Sequence, residues 1–312
     1  MSEGFAGKKI GFVFPGQGSQ HVGMGRELAG NYPVAAEIFA RADTALGYSL
    51  SGLCFDGPDE ELKQTINTQP ALFVTSAAAF EVVKSKGIEF SFAAGHSIGE
   101  YAALYAAGAF SLEEGLSLVR NRAKLMQKAA EEKPGTMAAI LGLSAEQVRE
   151  VVSGASSAGV VAAANFNSPI QIVISGEVEA VARASAIAKE MGARRVVPLN
   201  VSGAFHSPLM QSAADSLMES LKATRISDLL KPVVANYTAD FETSAVEVKD
   251  NLSKQITGSV RWVESVRKML DAGAECFIEL GSGNVLAGLI KRIAPEAETV
   301  SVGDAASVEG LA

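Results

Sequence analysis

The run Gly95-His96-Ser97-Ile98-Gly99 sets a serine between two glycines at G-x-S-x-G spacing. After a strand and before a helix, that spacing makes a nucleophile elbow, a tight turn that lifts a serine Oγ clear of the sheet. Gly95 and Gly99 remove side chains that would crowd the neighbouring strand and helix. The free N–H groups and positive dipole end of the following helix suit a developing oxyanion. The chemistry would be acyl transfer or hydrolysis through an ester on Ser97. An incidental serine in a Gly-flanked turn is the plainer alternative.

A hydroxyl needs a base to attack a carbonyl carbon well at neutral pH, and histidine is the usual one. Three are present: His21, His96 and His206. His96 is adjacent to the serine, but neighbouring side chains at a sharp elbow project in different directions. It is expected to pack or hydrogen-bond near the turn. His21, in GSQHVGMG, reads as a structural or rim residue. His206, in VSGAFHSPLM, falls where the chain leaves a predicted small lobe, so its side chain could overhang a cleft. A solvated helix entry is the competing reading.

Arg120 and Arg122 stand two apart on a predicted helix and point to nearly opposite sides, so at most one faces a cleft. An arginine there suits a substrate carboxylate, which its planar fork can bind at two points. A solvated helix face is the bland alternative. FPGQGSQHVGMG fails G-x-G-x-x-G spacing and lacks the Gly-Lys-Ser/Thr of a phosphate loop. Its better use is a loop whose Gln17 backbone N–H faces the site, although spacing alone does not prove it.

The elements that must hold these residues alternate between strand and helix. KKIGFVFPGQG reads as a buried strand ending in a Gly-rich turn. TQPALFVTSAAAFEVVKSKG reads as a helix with Pro70 in its first turn and Gly87 at its stop. FSFAAGHSIGEYAALYAAGAF gives strand, turn and helix, and GLSLVRNRAKLMQKAA a further helix. This pattern predicts an α/β fold, a large α/β-hydrolase-like lobe with a mostly parallel sheet. After Pro134 the order becomes β-α-β-β-α-β, with Ser144 and Gln147 spaced as a capping box, which predicts an inserted small ferredoxin-like lobe. The expected division is 1–133 and 202–312 for the large lobe and 134–201 for the small one. Helices at SPLMQSAADSLMESLKAT, RWVESVRKMLDAG and NVLAGLIKRI, with strands at KPVVANYT and CFIELGSG, complete the large lobe. A cleft between lobes is a common place for a ligand site.

Bulk properties exclude several classes. The formal net charge of -8 argues against a broad electropositive field for nucleic acid. Cys54 and Cys276 form no C-x-x-C pair, and with three histidines no metal site is expected; both thiols read as buried or partly buried. IGFVF is too short for a signal-peptide core, and no run approaches the ~18 apolar residues of a membrane span. The expectation is a soluble, cytoplasmic protein without a membrane or nucleic-acid partner.

Taken together, FVFPGQGSQ, TQPALF, GHSIGEYAAL, the R-A-K-L-M stretch at Arg122, NFNSP, GAFHSPLM and ELGSGNVLAGLIKRI occur in the order seen in malonyl-CoA:acyl carrier protein transacylases. The chain resembles that family over nearly its whole length. Acyltransferase domains of polyketide and fatty acid synthases share much of the pattern. The resemblance implies Ser97 as acyl-accepting nucleophile and His206 as base, a dyad whose histidine is oriented by a backbone carbonyl, here of Gln255. It implies an oxyanion hole from the backbone N–H groups of Gln17 and Ile98. It also implies Arg122 as the residue that binds the malonyl carboxylate, and Phe205 as the aromatic of malonyl-selective members. The family often has Gly-Pro-Gly where this chain has Gly281-Ser282-Gly283, and often a basic residue where Asn284 stands, which puts the local loop shape in question.

The implied activity is ping-pong transfer of malonyl from malonyl-CoA to the phosphopantetheine thiol of an acyl carrier protein, in fatty acid biosynthesis. No metal or redox cofactor is implied, and a monomer is expected. A free-standing acyltransferase of a polyketide synthase and a serine thioesterase or hydrolase are the alternatives; a non-catalytic docking module is a third. Acidic carrier proteins would need a local basic surface, for which Lys189, Arg194, Arg195, Lys291 and Arg292 are candidates by clustering.

Overall fold

Five consecutive apolar residues, Ile10–Phe14 (β1), are all buried, as a strand covered on both faces of a sheet must be. β1 lies between Phe92–Gly95 (β2) and a later strand, Cys276–Leu280, and pairs parallel to both. The structure, a computed structural model, describes residue 5 and residues 7–311. Residues 1–4, 6 and 312, at the ends of the expected large lobe, lie outside the described residues.

The small sheet comes next in the chain. It comprises Thr136–Leu141 (β3), Val161–Ser168 (β4), Gln171–Gly176 (β5) and Arg195–Pro198 (β6), all antiparallel, in the order β4-β5-β3-β6. The helices Ala145–Ala155 and Val178–Glu190 complete a β-α-β-β-α-β unit. They pack on one face of the sheet, where Ile140, Val148, Ile174 and Val181 share a separate core cluster. Ser144 and Gln147 close the capping box expected of them.

The chain then returns to the large sheet with Val233–Val234 (β7), Phe241–Glu242 (β8), β9 (the strand Cys276–Leu280) and Glu298–Val302 (β10). The six strands run β10-β9-β1-β2-β7-β8, parallel except for β8. The two sheets are joined on the outer edge of the small one. Segment 259–260 adds to β4: Val260 N–H donates to Ala164 O at 2.8 Å, Phe166 N–H to Val260 O at 2.9 Å, and Ser259 Oγ to Ala163 O at 2.6 Å.

Several sequence expectations need correction. The helix placed at Pro70 begins one turn earlier and spans Thr65–Ser85, so Pro70 is interior. Its missing N–H forfeits one helical bond, but the helix is buried along most of its length, and tertiary packing outweighs the local cost. The strand expected across KPVVANYT shrinks to two residues, because the chain turns back through Ala235–Asp240 into β8. Helices between residues 26 and 62, the helix Ala245–Gln255, β8 and β10 were not foreseen. Among the described residues no helix is long and apolar enough to cross a membrane.

Candidate active site

The elbow after β2 is a packing necessity. A Cβ on Gly95 would stand 1.9 Å from Gly99 C, and one on Gly99 would stand 2.1 Å from Phe14 O. The helix Gly99–Ala106 can therefore approach β1 only with glycine at both places. Ser97 takes φ 53°, in the left-handed region that L-residues rarely occupy. Asn236, in the turn after β7, holds this backbone: its Oδ1 accepts Ser97 N–H at 2.7 Å and its Nδ2 donates to Gly95 O at 2.6 Å.

His206 reaches the elbow from the loop that follows β6. It is buried and also has positive φ, 56°. Its Nε2 lies 2.8 Å from Ser97 Oγ, and its Nδ1 lies 2.8 Å from Gln255 O and 3.2 Å from Gly258 O. Carbonyl oxygens only accept, so the Nδ1 proton is donated to them and Nε2 is left to accept the Ser97 hydroxyl proton. Burial, with a contribution from the Arg122 charge, pushes His206 down to about 3. The imidazole is thus neutral at physiological pH, with Nε2 free to accept a proton.

Arg122 faces the same hydroxyl. Its Nη2 donates to Ser97 Oγ at 3.1 Å and to Gln255 Oε1 at 2.8 Å, while Nη1 donates to Gln69 Oε1 at 2.7 Å. The side chain is 1% exposed, all three partners are uncharged, and Nε finds no acceptor. Gln255 turns its amide the other way: Nε2 donates to Ser97 O at 3.0 Å and to Glu100 Oε2 at 2.8 Å. Glu100, fully buried, also accepts Asn236 N–H at 2.9 Å. One glutamine therefore touches the nucleophile's backbone, the base and the arginine.

The pocket around these groups is lined by Gln17, Ile98, Met126, Met137, Asn165 and Phe205, among others. Among the described residues, no acceptor takes up the backbone N–H of Gln17 or Ile98. Ser97 N–H, by contrast, is occupied by Asn236. Phe205 is buried in the wall.

The other histidines go elsewhere. His96 Nε2 meets Asn167 Oδ1 at 2.7 Å across the cleft, its ring lies 5.8 Å from that of Trp262, and burial pushes its pKa down. His21 is exposed and bonds Ser282. Arg120 turns away to Leu46 O and Tyr48. Cys54 and Cys276 are buried away from the site, their thiols pushed up by burial to about 12 and about 11. The five basic candidates are exposed. Arg292 bonds Gln171 across the lobes at 2.7 Å, and Gln171 and Arg195 flank Leu141 in the small sheet. Gln69, Glu100, Asn236 and Gly258 went unremarked in the residue-by-residue reading. Gln69 stands within TQPALF, and Asn236 at the carboxyl end of a predicted strand, which were the available signals.

The acyl transferase domain profile matches residues 11–307. The chain belongs to the acyl transferase family. Over 302 residues this acyltransferase is 46% identical to the malonyl CoA-acyl carrier protein transacylase of Bacillus subtilis (strain 168), covering 96% of this chain and 95% of that one. It is 44% identical to the protein of that name from Escherichia coli (strain K12), covering 91% and 93%. A crystal structure of an acyl carrier protein S-malonyltransferase from Vibrio cholerae superposes with a TM-score of 0.95 at 44% identity, covering 97% of this acyltransferase and 100% of that chain. A type II polyketide synthase acyl-carrier protein in complex with its malonyl-transacylase gives 0.95 at 41% identity, covering 97% and 98%.

Proposed function

We propose that this acyltransferase moves malonyl from malonyl-CoA to the phosphopantetheine thiol of an acyl carrier protein, through a malonyl ester on Ser97, in fatty acid biosynthesis. The observation that carries this reading is Arg122: a buried guanidinium 3.1 Å from Ser97 Oγ with only uncharged partners. A buried cation without a charged hydrogen-bond partner is costly, and the nearby carboxyl, Glu100, is itself pushed up to about 7 by burial. An acyl group that ends in a carboxylate supplies such a partner, and the relatives carry malonyl in their names.

His206 Nε2 takes the Ser97 proton as Oγ attacks the thioester carbon. The imidazolium that forms is held through Nδ1 by the carbonyls of Gln255 and Gly258. The free N–H groups of Gln17 and Ile98 receive the oxyanion, an effect worth about 3 kcal/mol per donor. The proton passes from His206 to the departing coenzyme A sulfur. The carrier thiol then gives its proton to His206 and attacks the Ser97 ester; as the ester C–O bond breaks, His206 returns the proton to Ser97 Oγ and the carrier leaves with the malonyl group.

The reading includes a cytoplasmic monomer that needs neither metal nor redox cofactor. The exposed basic residues Lys189, Arg194, Arg195, Lys291 and Arg292 form its carrier contact. The 41% identical transacylase complexed with a type II polyketide carrier supports a second carrier class, that of polyketide synthesis. Intact-protein mass spectrometry after brief mixing with malonyl-CoA, then with carrier, tests the proposal. A malonyl adduct that maps to Ser97 and moves to the carrier is expected. An adduct lost to water without carrier would make the protein a hydrolase instead.

A further inference from the structure

The loop after β9 carries Gly281-Ser282-Gly283 and lies against the loop after β1 that carries Gln17. Ser282 is 2% exposed, and its Oγ donates to Ser19 O at 2.5 Å. With the hydroxyl proton so committed, His21 Nδ1–H is the donor in the 2.9 Å contact to the same Oγ. Ser282 thereby ties down residues 19 and 21 together. A Cβ on Gly281 would stand 2.5 Å from Ser76 Oγ and 3.2 Å from Pro15 Cγ, so the two loops are in close contact before the hydroxyl is counted.

What the tie controls is one peptide plane. Ser19 N–H donates to Gly16 O at 3.3 Å, closing a turn with Gln17 and Gly18 at its centre, Gly18 at φ 103°. Gly16 O and Gln17 N–H belong to the same rigid amide. Holding Ser19 holds Gly16 O, and so sets where the unpartnered Gln17 N–H points. A Cβ on Gly16 would stand 2.5 Å from His96 O, so the opposite side of this plane is already against the elbow.

We propose that Ser282 is a positioning residue for catalysis, which aims the Gln17 N–H at the oxyanion through the chain Ser282 Oγ, Ser19, Gly16 O. The inference rests on the acyl-transfer reading above. It concerns the rate of acylation rather than the binding of substrate, because Ser282 does not line the pocket around Ser97.

The test is single-turnover acylation of Ser97 by malonyl-CoA, scaled to the number of acylatable sites, in wild type, Ser282→Ala, Ser282→Thr and His21→Ala. Complete loss of an oxyanion donor costs about 10²–10³ in rate, so a donor that is loosened but present should cost about tenfold. The Ser282→Ala variant is expected to lose about tenfold in acylation rate with the malonyl-CoA KM unchanged, and Ser282→Thr, which keeps the hydroxyl, to recover most of it. His21→Ala removes one of two ties at an exposed position where folding is not at risk, and should lose a smaller factor in rate at the same KM. A purely structural Ser282 would lower Tm and the number of active sites and leave the rate per site unchanged. Unchanged rates in both Ser282→Ala and His21→Ala overturn the proposal, and His21→Ala alone decides it should Ser282→Ala not fold. If wild type itself forms no acyl-serine, the functional reading fails and not this one alone.

Discussion

Arg122 Nη2 and Ser97 Oγ stand 3.1 Å apart, with the serine proton facing His206 on another side. In the proposed reading, this guanidinium offers its charge to a carboxylate carried by the incoming acyl group. Replacing Arg122 with alanine should lower malonyl transfer by about 10²-fold, the scale of a lost charged hydrogen bond with its partner left buried. Acetyl transfer, which has no carboxylate to hold, should fall much less. Equal losses in kcat/KM for both acyl groups would refute carboxylate binding.

His206→Ala removes the acceptor for the Ser97 proton. Acylation measured by rapid quench should slow by about 10²–10⁴-fold, the range for a general base. Binding of malonyl-CoA should be retained. A loss of only a fewfold would mean that another group takes the proton.

The pH dependence follows from burial. Because burial pushes His206 down to about 3 in the folded protein, it stays neutral, with Nε2 unprotonated, well below the ordinary histidine range. The rate per folded molecule should show no acid limb at pH 6–7. Stability behaves differently: the unfolded chain binds this proton more readily, so the contribution of His206 is complete above the ordinary histidine range and is lost as pH falls toward about 3. A limb near pH 6.5 in acylation of fully folded enzyme would contradict the neutral assignment.

Glu100 and Glu242 have the opposite sign. Both are buried, each keeps one oxygen without a partner, and desolvation raises both above the usual carboxylate range, against the pull of the Arg122 charge on Glu100 and with added repulsion from Glu100 on Glu242. Folded, they hold protons that the unfolded chain releases from about pH 4.5 upward, so their contribution is present at low pH and fades as pH rises through the raised values. Glu242→Gln keeps the shape and cannot ionise. Its Tm relative to wild type should therefore improve from pH 6 to pH 9. A constant difference across that range would show that Glu242 is ionised throughout.

Charge reversal at Arg195, Lys291 or Arg292 should raise the KM for carrier protein several-fold and leave self-acylation by malonyl-CoA unchanged. Exposed single charges contribute about 1 kcal/mol or less, so a double reversal gives the clearer signal. An unaltered carrier KM in the double variant would remove this face from the docking surface.

Legibility was uneven for physical reasons. The elbow was readable because its constraint is local: Gly95 and Gly99 are within four residues of each other, and their missing side chains make the approach to Phe14 possible. The small lobe was readable because its strands and helices alternate with clear periodicity and a capping box at Ser144. The helices between residues 26 and 62 are short and irregularly bounded, and offered no comparable signal. The network behind the serine was invisible because it has no sequence period. Asn236 holds Ser97 from 139 positions away, and Gln255 reaches Ser97 O from 158.

By itself the sequence determined that a serine would stand in a tight, glycine-flanked turn between a strand and a helix, because small residues at both flanks are what such a turn requires. It also limited the base to one of three histidines. Only the tertiary structure decided among them. His96, next door, is turned across the cleft to Asn167, whereas His206, 109 positions on, is brought to 2.8 Å from Ser97 Oγ by the loop that re-enters the large lobe. Likewise the spacing of Arg120 and Arg122 allowed at most one to face inward, and only the packing of the helix Leu112–Glu132 against Gln69 and Gln255 chose Arg122 and buried it among uncharged hydrogen-bond partners. Direction and burial of a side chain depend on what surrounds it, and those surroundings come from residues far away in the chain.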